Sequence, residues 1–209
     1  MTPDARTPGA LEPKQDRSRA TRRLLLDAAV DELIERGYGG LTTLAVARRA
    51  GVSRGAQQNH FPQKSTLVAE ALRHLAEREL SVLHETVAQA PEDERDRAHV
   101  ALDMIFAQFG GSLFRMVVEL SLAAREAPEL AEVVAEEERE MSLQVNQVAL
   151  EIFGAQLAAT PGFTRRWNMA VAAIRGTAML RFLGHPEELV VRQWERTRAE
   201  LIDLLVRTG

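Results

Sequence analysis

Between Leu41 and Ala56 the chain reads Leu-Thr-Thr-Leu-Ala-Val-Ala-Arg-Arg-Ala-Gly-Val-Ser-Arg-Gly-Ala. Two short helical runs flank one glycine, and this constrains the local fold more than any other stretch. Thr42 or Thr43 caps the first run, because a hydroxyl there satisfies a backbone N–H that a helix start leaves free. Val46 and Ala50 are four apart and share a face, and the small Ala47 lets a second helix approach closely. Gly51 takes a left-handed conformation at little steric cost and ends the first helix. Val52 plugs the turn into the core, and Ser53 caps the second run. This is the layout of a helix-turn-helix, whose second helix lies in the DNA major groove. A plain corner between two helices of an all-helical protein shares the same short pattern.

The flanks favour the first reading. Upstream, Arg17, Arg19, Arg22 and Arg23 lead into a helix with the apolar positions Leu24, Leu25, Ala28, Ala29, Leu33 and Ile34, ending at Arg36-Gly37. Downstream, Asn59-His60-Phe61-Pro62-Gln63-Lys64 closes the second run and opens another helix. Pro62 stops helix continuation through residue 61. Lys64 then sits at a helix N-terminus, where a cation opposes the dipole and a bound phosphate resolves the conflict.

From about Arg17 to Leu67 the chain resembles the DNA-binding domain of the tetracycline-repressor-like (TetR) family of bacterial regulators. The residues that carry the likeness are the Thr42-Thr43 cap, Val46-Ala47, Ala50-Gly51-Val52-Ser53, His60-Phe61-Pro62 and Lys64. Beyond residue 75 only the layout is similar. The resemblance implies an all-α fold of nine helices, the first three forming the DNA reader and the rest a ligand-sensing and dimerisation domain. Expected boundaries are a flexible arm over residues 1–15, a helix-turn-helix domain over 16–63 and an effector-binding and dimerisation domain over 64–209.

Composition agrees. Residues 1–75 carry twelve Lys/Arg and eight Asp/Glu, net +4, whereas residues 76–209 carry fourteen and twenty-two, net −8. The part that faces DNA is the basic part, as phosphate binding requires. The chain has no cysteine, so it holds no disulfide or thiolate metal site, and a reducing cytoplasm suits it. No apolar run reaches membrane-spanning length and the N-terminus is polar, so no membrane partner is expected. Pro3, Pro8, Gly9 and Pro13 mark the flexible arm.

The remainder reads as helices throughout, with no period-2 strand. Expected spans are Lys64 to about Ala90, a helix opened by Pro91-Glu92-Asp93-Glu94 and closed at Gly110-Gly111, Leu113 to Glu126, Pro128 to about Gly154, Phe163 to Leu183, and Glu187 to about Arg207. On the fourth of these, Glu136, Glu137 and Glu138 are expected to face solvent.

On DNA, Arg54 is the first candidate for a base contact, since a guanidinium pairs with guanine O6 and N7. Phosphate contact alone is the competing role. Ser53, Gly55 and Ala56 bring the backbone near the groove, and Asn59 reads adenine or binds phosphate. By the resemblance, Thr43, His60, Lys64, Arg17, Arg19 and Arg22 clamp phosphates. Three positions depart from the family: Gln57 replaces a usually buried leucine, Gln58 a phosphate-binding tyrosine, and Leu44 a base-reading arginine of some members. Gln57 and Gln58 are expected to reach adenine or phosphate.

One short reader on a modest patch supplies too little affinity alone, so a homodimer on a pseudo-palindromic operator is expected. Small residues at Ala170, Ala173 and Thr177, and the stripe Trp194, Arg198, Leu201, Ile202 and Leu205, are the candidate dimer surface; an intrachain core stripe is the alternative. Met104, Phe106, Phe109, Phe114, Met141 and Trp167, with Asn146 and Arg175 to orient a ligand, are the candidate lining of a small-molecule effector pocket. No cofactor and no metal are expected, and no catalytic residue is assigned. His60, His74, His84, His99 and His185 are scattered, and no phosphate loop or nucleophile elbow occurs, which disfavours a helical-bundle enzyme. A helical protein-binding scaffold without DNA function is the other alternative. Repressor is favoured over activator by family habit.

Overall fold

The computed structural model describes residues 12–87 and 91–206, and every regular element among them is helical. In order these are α1 (Glu12–Gly40), α2 (Thr43–Arg49), α3 (Arg54–His60), α4 (Lys64–Val87), α5 (Glu94–Phe109), α6 (Ser112–Ala123), one 3₁₀ turn (Pro128–Leu130), α7 (Ala131–Ala158), α8 (Phe163–Phe182) and α9 (Glu187–Val206). Of the expected arm, residues 1–11 lie outside the described residues. Residues 12–15 are helical, which shortens the arm: Pro13 falls in the first turn, where a missing N–H loses no partner. The last residues expected of α4, 88–90, also lie outside the description.

The breaks fall where glycine permits them. Gly37, at φ 63° and ψ −178°, interrupts α1 after Arg36. Gly154, at φ 75°, breaks α7 in the same way. Asp93 caps α5 by accepting the Arg95 and Asp96 N–H groups at 2.9 and 3.0 Å, so the helix starts three residues after Pro91.

The chain divides between His74 and Leu75 into two units, later than the boundary expected at residue 63. The reason is burial: Leu67, Val68, Ala71 and Leu72 of α4 are fully buried, as are Leu25, Ala29 and Leu33 of α1, Leu41 and Val46. Asp27 of α1 and His74 of α4 meet at 2.8 Å within this unit. Leu24 and Ile34, expected in the apolar stripe, are instead 51% and 40% exposed. Each lies one position beyond a buried residue, at the edge of the stripe.

The second unit packs α8 and α9 against each other and both against α5. Phe106 stacks on Trp194 with centroids 4.3 Å apart, and Phe109 meets Phe114 edge-on at 5.0 Å. Asp103 is the polar pin of this core: it accepts the Trp194 Nε1–H at 2.7 Å and pairs with Arg198. Glu137, expected in solvent, is buried, while Glu136 and Glu138 are exposed.

Candidate nucleic-acid interface

The turn between α2 and α3 is fixed by its own backbone. The Thr42 hydroxyl accepts the Ala45 N–H at 3.1 Å, and the Ser53 hydroxyl accepts the Ala56 N–H at 3.2 Å. Gly51 stands at φ 68°. Its N–H donates to the Arg48 carbonyl at 3.2 Å, and the Val52 N–H donates to the Ala47 carbonyl at 3.0 Å. That pair of bonds is a Schellman motif, which needs a left-handed residue where Gly51 sits.

α3 has one anchored face. Gln57 is only 3% exposed, and its Nε2 donates to the Phe61 carbonyl at 2.7 Å while the Phe61 N–H donates to the Gln57 carbonyl at 2.8 Å. Gln57 is therefore no reader of adenine or phosphate. It closes the helix from inside the core, its amide satisfying a carbonyl that a leucine leaves unpaired. The opposite face presents Arg54, Gly55, Gln58 and Asn59 exposed, with Ala56 and His60 half-buried. Thr42 and Leu44 are exposed at the start of α2 and Thr43 is half-buried there.

The expected phosphate clamps divide. Arg17 is exposed, and Arg19 makes only a loose pair with Asp16 at 3.9 Å. Arg22 is engaged internally, paired with Glu70 and lying over the Phe61 ring at 5.6 Å. Lys64 donates from Nζ to the Tyr38 carbonyl at 2.6 Å and lies 3.9 Å over the Tyr38 ring. The dipole conflict at the start of α4 is thus relieved by a carbonyl and a π face of the chain itself.

Sequence reasoning passed over Arg49. Its guanidinium reaches Asp31, Glu35 and, at 2.9 Å from Nε, the buried Glu32, tying α2 to α1. The hydrogen bond from Arg49 holds the Glu35 carboxyl below its ordinary range, and the same bond raises the Arg49 guanidinium. The signal lay in the sequence as acids at 31, 32 and 35 opposite an arginine that closes the next helix. Arg23 and Arg48 are further exposed cations of this unit.

In the second unit two adjoining recesses share Phe109 and Met141. The first, about 30 Å³, is lined by Ala76, Glu79 and Leu80 of α4, Gln108 and Phe109 of α5, Leu113 and Phe114 of α6, and Met141 and Gln144 of α7. The second, about 120 Å³, adds Ser142, Asn146, Asn168, Val171 and Arg175. Of the expected pocket residues, Phe109, Phe114, Met141, Asn146 and Arg175 line these spaces. Met104, Phe106 and Trp167 do not: Phe106 is stacked on Trp194, Trp167 donates to Asn146 Oδ1 at 2.7 Å, and Met104 packs on the core. Arg175 is paired with Glu138 at 3.0 Å and lies over the Phe109 ring.

The expected dimer surface is largely interior. Ala170, Thr177, Trp194, Leu201, Ile202 and Leu205 are buried within the single chain, Ala173 is half-buried, and Arg198 is held by Asp103. Contact with α5 claims that side of both helices. The outward side of α8 carries Met169, 58% exposed, with exposed Ala172 and Gly176, and Leu183, the cap residue just past its end, is 68% exposed.

Among the described residues no group of three or more His, Asp or Glu is placed to hold a metal ion. No single described helix is long and apolar enough to cross a membrane.

The family model described as bacterial regulatory proteins, tetR family, matches residues 25–71. An uncharacterized HTH-type transcriptional regulator of Mycobacterium bovis is 30% identical over 143 residues, 68% of this chain and 73% of its own length. Among solved structures, the multidrug binding protein EbrR, complexed with imidazole, is 25% identical with a TM-score of 0.57, covering 90% of this chain and 92% of its own. A TetR-family regulator from Mesorhizobium loti, 17% identical, has the same fold, with a TM-score of 0.62 over 90% of this chain and 98% of its own.

Proposed function

Since the chain belongs to the TetR family of bacterial regulatory proteins and is a transcriptional regulator, we propose that it is a repressor released from its operator by an effector. It binds a pseudo-palindromic operator as a homodimer in the cytoplasm, and a small, largely apolar molecule in the second unit favours the form that lets go. The observation that carries this reading is the division of α3 into a buried, internally bonded face at Gln57 and a free face of Arg54, Gly55, Gln58 and Asn59. Arg54 at the first helical position suits a bidentate contact to guanine, and Gln58 and Asn59 have the donors and acceptors that adenine requires. Arg17, Arg19, Arg23, Arg48 and Thr43 are the proposed phosphate contacts. Arg22 and Lys64 act instead by holding α1, the Tyr38 turn and α4 in register.

For the dimer, the face that remains open supports a contact through α8. Met169, Ala172, Gly176 and Leu183 recur at helical spacing, and the small pair in the middle permits close approach of a symmetric copy. Effector control is supported by the two recesses and by the likeness to a protein whose solved form holds a small molecule. A ligand shifts such an equilibrium only by its differential affinity for the two forms.

Footprinting on DNA taken from upstream of its own gene tests the reading. The expected result is a protected site with two related half-sites and affinity that falls steeply with salt. Protection without half-sites, or equal binding to scrambled duplex, overturns it.

A further inference from the structure

Glu32 is a charged side chain in the core of the first unit, only 2% exposed, and it reaches from α1 to α2. Its Oε1 lies 2.9 Å from Arg49 Nε. Its Oε2 lies 3.3 Å from Arg36 Nη1 without the alignment of a hydrogen bond. Arg49 is held on its other side by Glu35: Nη1 donates to Oε1 at 2.8 Å, and Nη2 pairs with Oε2. Glu32 and Glu35 are about one helical turn apart, so they grip the planar guanidinium at two points and fix its rotation. Apolar packing supplies little of this orientation. The buried residues of α2 are Ala45, Val46 and Ala47, and that of α3 is Gln57. Hydrophobic burial is non-directional, and two alanines and a valine leave a smooth surface on which a short helix can turn. A buried carboxylate with one oxygen lacking a hydrogen bond is also a poor source of stability, since desolvation offsets the pairing.

We propose that Glu32 and Arg49 are positioning residues for the reader: the pair sets the rotation of α2 and, through the Gly51 turn, the angle at which α3 meets base edges. The proposal rests on the sequence-selective reading of DNA above and adds residues that act without touching the duplex. α2 and α3 turn as one piece, because the bonds across Gly51 and the Ser53 cap join them. A rotation of α2 therefore shifts Arg54, Gln58 and Asn59 relative to the groove. Long side chains on phosphates follow such a shift, whereas base contacts do not, because a hydrogen bond weakens steeply with misalignment. Stability and selectivity then part company: an apolar pair in place of the ions keeps the fold and blurs the reading.

Wild type, the double variant Glu32→Met with Arg49→Met, and Arg49→Lys test the inference, each as the full chain. Wild type first selects its preferred duplex from a random pool. Each protein is then titrated with that duplex and with a scrambled one over a range of salt. In the double variant the thermal midpoint is expected to stay or rise. Its preference for the selected duplex falls about tenfold or more, the order of one misplaced base contact, while the salt slope is unchanged. Arg49→Lys keeps the charge and loses the two-point grip, so its preference falls as well. A double variant that melts earlier makes the pair a stabilising contact and overturns the proposal. So does preference retained in either variant. A salt slope shallower by about one per reader makes Arg49 a phosphate contact and overturns it too. A selected site without two half-sites counts against the homodimeric operator reading and leaves this comparison intact, whereas a wild type that selects no sequence overturns both.

Discussion

Arg54 carries the sharpest expectation about DNA, because it is the one charged side chain on the free face of α3. If it reads guanine, Arg54→Ala costs roughly 1–3 kcal/mol at one base step and relaxes preference there. Competition binding with operators mutated step by step measures this, and a uniform loss across all duplexes assigns Arg54 to phosphate. Glu79 makes a prediction about stability. Its folded-state carboxyl is raised above the ordinary 4.5 chiefly by burial. The stability associated with its protonation is therefore fully present below about 4.5 and lost as pH rises through the folded value. Glu79→Gln is accordingly expected to be more stable than wild type to urea at pH 7, and equal to it near pH 4. An equal gap at both pH values removes burial of the charge as the cause. Gln57 shows the same economy at one position: a polar residue at an interior site is tolerated because it finds a carbonyl to serve.

The elements depend on a few residues with special backbone roles. Gly51 has open space where a Cβ would go, but its φ of 68° strains any other residue. Gly51→Ala is expected to destabilise the first unit by about 1 kcal/mol through that strain alone, read as a lower thermal midpoint without loss of helix content. Such positions were legible in the sequence: Thr42, Ser53, Gly51, Gly37 and Pro62 each act by local chemistry, and each ends or starts a helix where local chemistry says it must. What remained hidden was decided at long range. Trp194 and Arg198 stand in a stripe that fits a partner copy as well as a core, and it is Asp103, 91 positions before Trp194, that engages both within the chain. Glu79 follows Glu77 and Arg78 in a run that reads as a solvated face. Only the arrival of α6, with Leu113 at its start, buries it. The contacts of Lys64 and Arg22 were hidden for a related reason, since a free cation and one already engaged look alike until the fold supplies Tyr38 and Glu70.

At the scale of the whole molecule, the net +4 of residues 1–75 is modest beside the −8 that follows. On the proposed homodimer, affinity comes from two readers acting together. Gly176→Arg places a long charged side chain in the middle of the open α8 face and is expected to leave a folded monomer in sedimentation velocity. Operator affinity then drops about a hundredfold or more, as expected when a bivalent contact becomes monovalent. A variant that remains dimeric moves the interface elsewhere. α3, meanwhile, is pinned at its start by Ser53 and at its end by Gln57 and Phe61 before any duplex arrives. Docking therefore freezes few torsions, and the heat-capacity change on association reflects the area covered, without the excess that accompanies folding upon contact.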